Sequence, residues 1–90
     1  MQLRQILKRL KKNKKGQDKI KEILLKYYKR LPDDDFWMIE YVYVEDLKML
    51  NIMNKLAIEE STYYNHLKNA LGKLEVLITY EDFMELFLMA

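Results

Sequence analysis

The chain has 90 residues, half of them hydrophobic, and carries a net charge of +2 with only two glycines and one proline. This length fits one small domain with its own core, and so few turn-forming residues argue against an all-β fold. With no cysteine and a single histidine, His66, the chain offers no thiolate metal site, disulfide or cysteine nucleophile. No apolar run approaches the roughly 20 residues of a membrane span and no signal peptide is evident. We therefore expect a cytoplasmic protein without cofactor, metal or membrane partner.

The charges are divided unevenly along the chain. Residues 1–30 contain twelve Lys/Arg and two acids, a local charge of +10, whereas residues 31–90 contain four Lys/Arg and twelve acids, a local charge of −8. Such asymmetry indicates that the basic part contacts a polyanion, although a run of charges can also be no more than a solvated helix face.

The N-terminal third carries apolar residues at helical spacing, interrupted by a polar stretch that contains Gly16. We predict two helices, about 2–14 and 17–31, with Gly16 at the end of the first because glycine is typical of that position. One long bent helix is the alternative, since Asn13 and Gln17 fall in the same heptad phase as the apolar residues.

Pro32 ends this segment, because the residue before a proline avoids the α region. One of Asp33, Asp34 and Asp35 is expected to cap the next helix, whose positive end suits all three carboxylates. That helix, about 34–44, is apolar nearly all round and is predicted to be the buried centre, although its β-branched and aromatic residues would also suit a strand. The larger aromatic side chains are expected in the core rather than on a base-stacking surface: Trp37, Tyr27, Tyr28, Tyr41, Tyr43 and Tyr63.

The next segment has the pattern of a helix-turn-helix unit. Asp46 is predicted to cap a helix that ends at Leu56, and a three-residue turn, 57–59, leads to a helix over about 60–77. One side of this second helix is apolar and the other is polar, as in units that offer the second helix to a DNA groove. A generic three-helix core would give the same spacing.

The C-terminal stretch is too apolar for a solvated tail. Thr79 is predicted to cap a last short helix, with Asp82 in the reciprocal capping position. This helix either folds back over the core or forms a protein–protein patch, and a patch would give a homodimer or a contact with RNA polymerase.

Residues 46–74 resemble, without a gap, the helix-turn-helix of the sigma-factor region that reads the −35 promoter element. The typical apolar, small and closing positions of that pattern are occupied by Ile52, Leu56, Ala57, Ile58, Tyr63, Ala70, Leu71, Lys73 and Leu74. Small phage regulators of the ArpU and RinA kind are more similar, over about residues 18–78. The run Glu59-x-Ser61-x-Tyr63-Tyr64, followed by Lys68 and Ala70-Leu71, resembles their recognition helix, and residues 35–43 resemble the helix before it. The resemblance implies an all-α small helical bundle with a C-terminal sigma-like helix-turn-helix.

The same resemblance implies which side chains meet DNA. Six residues would face the major groove: Glu60, Ser61, Thr62, Tyr64, Asn65 and Lys68. Asn65 is the best base reader, because an amide pairs bidentately with adenine. Phosphate contacts are expected from the basic N-terminal helix: Arg4, Lys8, Arg9, Lys11, Lys12, Lys14 and Lys15. Sigma factors usually have a hydroxyl cap and an arginine where this chain has Glu59 and Glu60, so base reading is expected to be weak or directed to A·T pairs.

We therefore predict one helical domain over 1–90, made of a basic N-terminal helix (1–16), a helix-turn-helix core (17–78) and a short apolar C-terminal helix (79–90). The expected function is a DNA-binding transcriptional regulator of a phage or mobile element, with double-stranded DNA as its partner. The alternative is an adaptor that binds RNA polymerase or a phage assembly component without touching DNA. An enzyme is not expected, because the chain has no nucleophile–base pair and no glycine-rich phosphate loop.

Overall fold

Helices account for most of the fold in the computed structural model, which describes residues 2–90. Within those residues there are six α-helices and no strand. They are α1 (Leu3–Leu10), α2 (Lys14–Lys26), α3 (Asp33–Ile39), α4 (Met49–Leu56), α5 (Glu60–Leu77) and α6 (Tyr80–Met89). A π-helical segment, Glu40–Val44, continues α3 without a break. The prediction of an all-α small helical bundle is confirmed, and the strand alternative for 34–44 is wrong.

The N-terminal third forms two helices, with boundaries that differ from the predicted 2–14 and 17–31. The break is made by the polar residues that had favoured one long helix. Asn13 Oδ1 accepts a hydrogen bond from the Gly16 N–H (2.7 Å) and so caps α2. Gln17 Nε2 donates to the Lys11 carbonyl (2.8 Å), which lies just after the last turn of α1.

Gly16 does not end the first helix, as predicted, but lies in the first turn of α2. A Cβ atom at this position would lie 2.7 Å from the Leu10 carbonyl carbon and 2.9 Å from Leu10 Cα. Both neighbours are backbone atoms, which cannot rotate away as a side chain can. Glycine is therefore needed for α2 to start against the end of α1.

The cap predicted for α3 is wrong. Pro32 is the N-cap residue and makes no side-chain cap, while Asp33, Asp34 and Asp35 all lie in the first turn. Asp35 is only 3% exposed and accepts a hydrogen bond from Lys73 Nζ (2.7 Å), and its other oxygen lies 3.2 Å from His66 Nε2. These contacts join α3 to α5, so tertiary pairing rather than capping determines where this carboxylate lies.

Residues 33–44 form the centre of the core, with Phe36, Met38, Ile39 and Tyr43 all buried. Trp37 is 38% exposed and stacks on Tyr41, with ring centroids 5.7 Å apart. The prediction of a core position for it was therefore wrong, as it was for Tyr28, which is 42% exposed. For Trp37 the reason is geometric, because one side of even a central helix faces outward when the bundle is only a few helices across. Tyr28 lies in the turn after α2, outside the central helix.

Asp46 does not cap α4. Its φ is +52°, a backbone region that aspartate tolerates better than most residues, and its carboxylate lies 3.2 Å from Lys11 Nζ. The helix begins two residues later than predicted, at Met49, after Lys48, which makes no side-chain cap.

The C-terminal helix folds back over the core. Thr79 Oγ1 accepts a hydrogen bond from the Asp82 N–H (3.1 Å), so the predicted cap is confirmed. The reciprocal contact predicted for Asp82 is wrong, because the Thr79 N–H donates to Tyr27 Oη (3.0 Å) instead. Leu86 is 1% exposed and α6 packs against α1 and α2. Asp82 is also buried, and its two oxygens accept hydrogen bonds from Tyr27 Oη (2.6 Å) and Lys26 Nζ (2.9 Å).

This buried carboxylate predicts a measurable acid sensitivity. The hydrogen bonds from Tyr27 and Lys26 hold the pKa of Asp82 below its usual 3.8. A carboxylate whose pKa is lowered by folding stabilises the protein above the pKa of the unfolded chain. That contribution is lost as the pH falls through the lower, folded pKa. We expect Asp82→Asn to be less stable than wild type at pH 7 but to lose less stability as the pH falls below about 4.

Urea unfolding at a series of pH values measures this difference. Glu81→Gln is the matched control, because Glu81 is exposed in the same turn of α6. An Asp82→Asn variant that loses stability with acid as steeply as the wild type would contradict the assignment.

Candidate nucleic-acid interface

Helices α4 and α5 are joined by the predicted three-residue turn, 57–59. Ala57 adopts the left-handed conformation (φ 55°, ψ 49°), and the Ile58 N–H donates to the Met53 carbonyl (3.0 Å). A C-terminal residue in this conformation ends a helix sharply while its last carbonyls are still satisfied. The small side chain of Ala57 limits steric crowding at a backbone conformation that normally favours glycine.

Helix α5 is attached to the rest of the protein along one side. Tyr63, Ala70, Leu71 and Leu74 are buried, and α3 is the main element packed against them. Tyr63 is the first buried residue of the helix, and burial raises the pKa of its hydroxyl. Together with the contacts of Asp35, these residues fix the rotation of α5 about its own axis.

The opposite side of α5 is open to solvent. All six residues predicted to face DNA are exposed, and we call them the outer face of α5: Glu60, Ser61, Thr62, Tyr64, Asn65 and Lys68. The rest of the described chain, residues 2–90, does not cover them. The helix therefore presents the polar surface that the sequence pattern predicts.

Arg4 is the residue of the basic N-terminal helix that lies beside this surface. A first groove of about 510 Å³ runs between α1 and α5, and Arg4 lines it together with Tyr64, Asn65 and Lys68. Burial raises the pKa of the Tyr43 hydroxyl, and the positive charge of Arg4 partly offsets this. Lys8 is exposed one turn further along the same side of α1.

Two of the predicted phosphate contacts are held by carboxylates. Lys11 is half-buried beside the Tyr43 ring (6.0 Å to its centroid) and pairs with Asp46. Lys14 lies 3.0 Å from Asp18, an exposed pair one helical turn apart. Exposed pairs of this kind contribute little stability, so Lys14 can still exchange its partner for a phosphate.

The remaining basic residues do not form one surface with Arg4. Arg9 and Lys15 line a separate depression beside the chain's last residues, Met89 and Ala90. Lys12 is exposed in the turn between α1 and α2. The seven cations predicted to act together are thus distributed around α1, and the structure brings Arg4 closest to the outer face of α5.

A second groove, of about 630 Å³, lies on the far side of α5 and contains a basic residue that the sequence pattern did not indicate. Arg30 lines it together with Lys68, Asn69 and Lys73. Arg30 lies in a turn after the end of α2, where its own N–H donates to the Tyr27 carbonyl (2.9 Å). Because it is outside the helix, helical periodicity does not indicate which way its side chain faces. Its sequence signals were its place in the basic part, residues 1–30, and its residue type, since arginine is found only at positions 4, 9 and 30.

Acidic residues surround the start of α5. Glu59 and Glu60 are exposed there, and Asp34 lies with Thr62 and Asn65 around a third, smaller groove of about 400 Å³. The cations are therefore concentrated along the middle of α5, around Lys68, rather than at its N-terminal end. Among residues 2–90 no three acidic or histidine side chains are grouped as metal ligands, and no helix has both the length and the apolar character needed to cross a membrane.

Comparison with known proteins gives one match. Residues 4–75 fit the model of a family described as a protein of unknown function (DUF1492), while no curated protein and no solved structure matches the chain. The matched span runs from α1 to near the end of α5 and so includes α4, the turn at 57–59 and most of the residues that line the two grooves beside α5. Because this span covers most of the chain, the protein belongs to the DUF1492 family of proteins of unknown function.

Proposed function

We propose that this protein is a DNA-binding transcriptional regulator, encoded by a phage or mobile element, that places α5 in the major groove of promoter DNA. The observation that carries the proposal is the uncovered outer face of α5, held by a three-residue turn on a helix-turn-helix. The resemblance of residues 18–78 to ArpU- and RinA-type regulators, and of residues 46–74 to the promoter-reading sigma module, supports it.

The dimensions of α5 suit this role. Its 18 residues make a rod about 27 Å long, and an α-helix with its side chains is about as wide as the major groove of B-DNA. Asn65 lies at the middle of the outer face, with Ser61 one turn before it and Lys68 about one turn after it. This places an amide that can pair with adenine between a hydroxyl and a cation that can bind phosphates.

Base reading and phosphate binding are separable by mutation. Asn65→Ala is expected to weaken binding to a duplex selected by the wild-type protein by about 5- to 150-fold, the equivalent of 1–3 kcal/mol, while binding to random DNA stays unchanged. Lys68→Ala is expected to weaken binding to both duplexes equally, because a phosphate contact carries no sequence information. Fluorescence anisotropy with labelled duplexes measures both affinities.

The matched control is Asn51→Ala, an exposed asparagine on α4. Equal losses on selected and random DNA in the Asn65→Ala variant would mean that Asn65 reads no base. A wild-type protein that binds neither duplex at low salt would overturn the proposed function.

A second candidate is a protein-interaction adaptor that binds RNA polymerase, a phage assembly component or a second copy of this chain. It is favoured by large apolar side chains on the surface, since Val76, Tyr80 and Leu88 are 85%, 77% and 76% exposed. The charge of −8 on residues 31–90 also suits a protein partner better than DNA. The binding experiment separates the two candidates, because an adaptor would bind neither duplex and would be indifferent to Asn65→Ala and Lys68→Ala.

A further inference from the structure

Helix α5 has an arginine on each side of its outer face. Arg4, from α1, lines the first groove, and Arg30, from the turn after α2, lines the second. Lys68 and Gly72 line both grooves, so they lie on the ridge that separates them. Within residues 2–90 neither guanidinium is paired with a carboxylate.

The spacing along α5 shows that the grooves lie on opposite edges of its exposed side. Tyr64, Leu71 and Glu75 line the first groove, whereas Asn69, Lys73 and Val76 line the second. Successive residues of an α-helix are rotated by about 100°. This rotation places the residues of the first groove on one side of the ridge and those of the second groove on the other side. A molecule that binds along the ridge would therefore contact Arg4 at one edge and Arg30 at the other.

Gly72 gives an independent indication that a molecule binds there. Glycine in a helix interior is less stable than alanine, so it needs a local reason. Packing within the protein is not that reason, because a Cβ at position 72 would have no atom within 4 Å apart from its chain neighbours and the backbone of its own helix. Glycine also occurs where the backbone of a helix must approach another molecule closely. The absence of a side chain on the ridge, between two unpaired arginines, fits such an approach.

The charge at the ridge identifies the class of ligand. Lys73 is already bound to Asp35 (2.7 Å), which leaves Arg4, Arg30 and Lys68 as cations available to a partner. Guanidinium groups bind phosphate bidentately, and the two strands of DNA border the major groove with a row of phosphates on each side. A ligand with anionic groups along both edges fits this arrangement.

We infer that Arg4 and Arg30 bind phosphates of the two opposite DNA strands on either side of α5, and that Gly72 lets the DNA surface approach the helix backbone between them. This inference rests on the proposed function and adds Arg30 and Gly72 to the DNA-binding residues. It also defines how α5 lies in the groove, because both strands must be reached at once.

The test measures DNA affinity of the full chain against salt concentration, using a 20-base-pair duplex. Each neutralised phosphate contact is expected to lower the magnitude of the slope of log K against log salt by about 0.9. Arg4→Gln and Arg30→Gln should each show this change and about 5- to 10-fold weaker binding near 100 mM salt, and the double variant should lose about two units of slope. Arg30→Lys, which keeps the charge, should keep the wild-type slope.

The matched control is Arg9→Gln, the third arginine, which lies in a different depression and should leave the slope unchanged. Gly72→Ala is expected to weaken binding several-fold while its melting temperature stays at or above that of wild type, a combination that a folding defect cannot produce. Circular dichroism melts of the arginine variants should match wild type, because Arg4 and Arg30 are exposed.

The failures are distinguishable. If the wild type binds DNA but Arg30→Gln behaves like Arg9→Gln, or Gly72→Ala binds normally, the two-sided contact is wrong and the proposed function stands. An Arg30→Gln variant that melts early would also count against the inference, because Arg30 would then have a structural role. If the wild type binds no duplex, the proposed function itself fails, and the ridge would then serve an acidic protein surface.

Discussion

Replacing Gly16 with alanine is expected to destabilise the protein by about 2–4 kcal/mol, a large fraction of the stability of a domain this small. The added methyl group would lie 2.7 Å from the carbonyl carbon of Leu10 and 2.9 Å from its Cα. Relief requires α1 and α2 to move apart, which opens the core between Leu10 and Ile20, both of them buried.

Gly72→Ala is the matched substitution with the opposite expected sign. A Cβ there meets open space and Gly72 has no positive φ, so alanine is expected to stabilise the protein by about 0.5–1 kcal/mol through helix propensity. Urea unfolding followed by circular dichroism measures both changes. Two variants of equal stability would contradict the different roles assigned to these glycines.

The part of the fold that the sequence predicted best is the part determined by local signals. The turn at 57–59 and the bounds of α5, 60–77, were predicted correctly, because a small residue and a change in apolar periodicity mark them. The cap at Thr79 was predicted for the same reason, since its hydroxyl and the N–H of Asp82 are three residues apart.

The wrong predictions concern carboxylates and aromatic side chains, which can occupy more than one kind of position in a fold. Asp35 and Asp46 both have good capping side chains, yet one pairs with Lys73 and the other with Lys11, which are distant in sequence. Trp37 has the large apolar side chain of a typical core residue, but it lies on the side of its helix that faces solvent. A sequence gives the capacity for such contacts, whereas the packing of whole helices decides among them.

The candidate site also has a part that could be predicted from the sequence and a part that could not. Periodicity identified the polar side of α5 that carries Asn65 and Lys68, and the resemblance to sigma-like regulators supplied the full set of six residues predicted to face DNA. Periodicity could not tell which of the dispersed basic residues would lie beside that face, because the relevant neighbours, Arg4 and Arg30, come from elements that precede α5 by 30 residues or more. The uneven charge distribution predicted that the basic residues of the N-terminal third contact a polyanion. The fold places only some of these basic residues next to α5.

A strong salt dependence is the largest effect expected for DNA binding. If about four to six cations contact phosphates, the slope of log K against log salt is about −4 to −6. Raising the salt concentration from 50 to 200 mM should then weaken binding by roughly 250- to 4,000-fold. Arg4, Arg30 and Lys68 are exposed cations that line the two grooves beside α5, and Lys8 is exposed one turn from Arg4 on α1. These four cations agree with the lower end of the range.

Location, rather than total charge, should determine this slope. A variant with Arg4, Arg30 and Lys68 replaced by glutamine is expected to lose about three units of slope. The comparison variant replaces Arg9, Lys12 and Lys15, which removes the same charge from exposed positions away from α5, and it should lower affinity through the long-range field while largely keeping the slope. Equal loss in both variants would mean that the whole basic N-terminal part, and not the two edges of α5, contacts the phosphates. A wild-type affinity that does not change with salt would exclude phosphate contacts altogether.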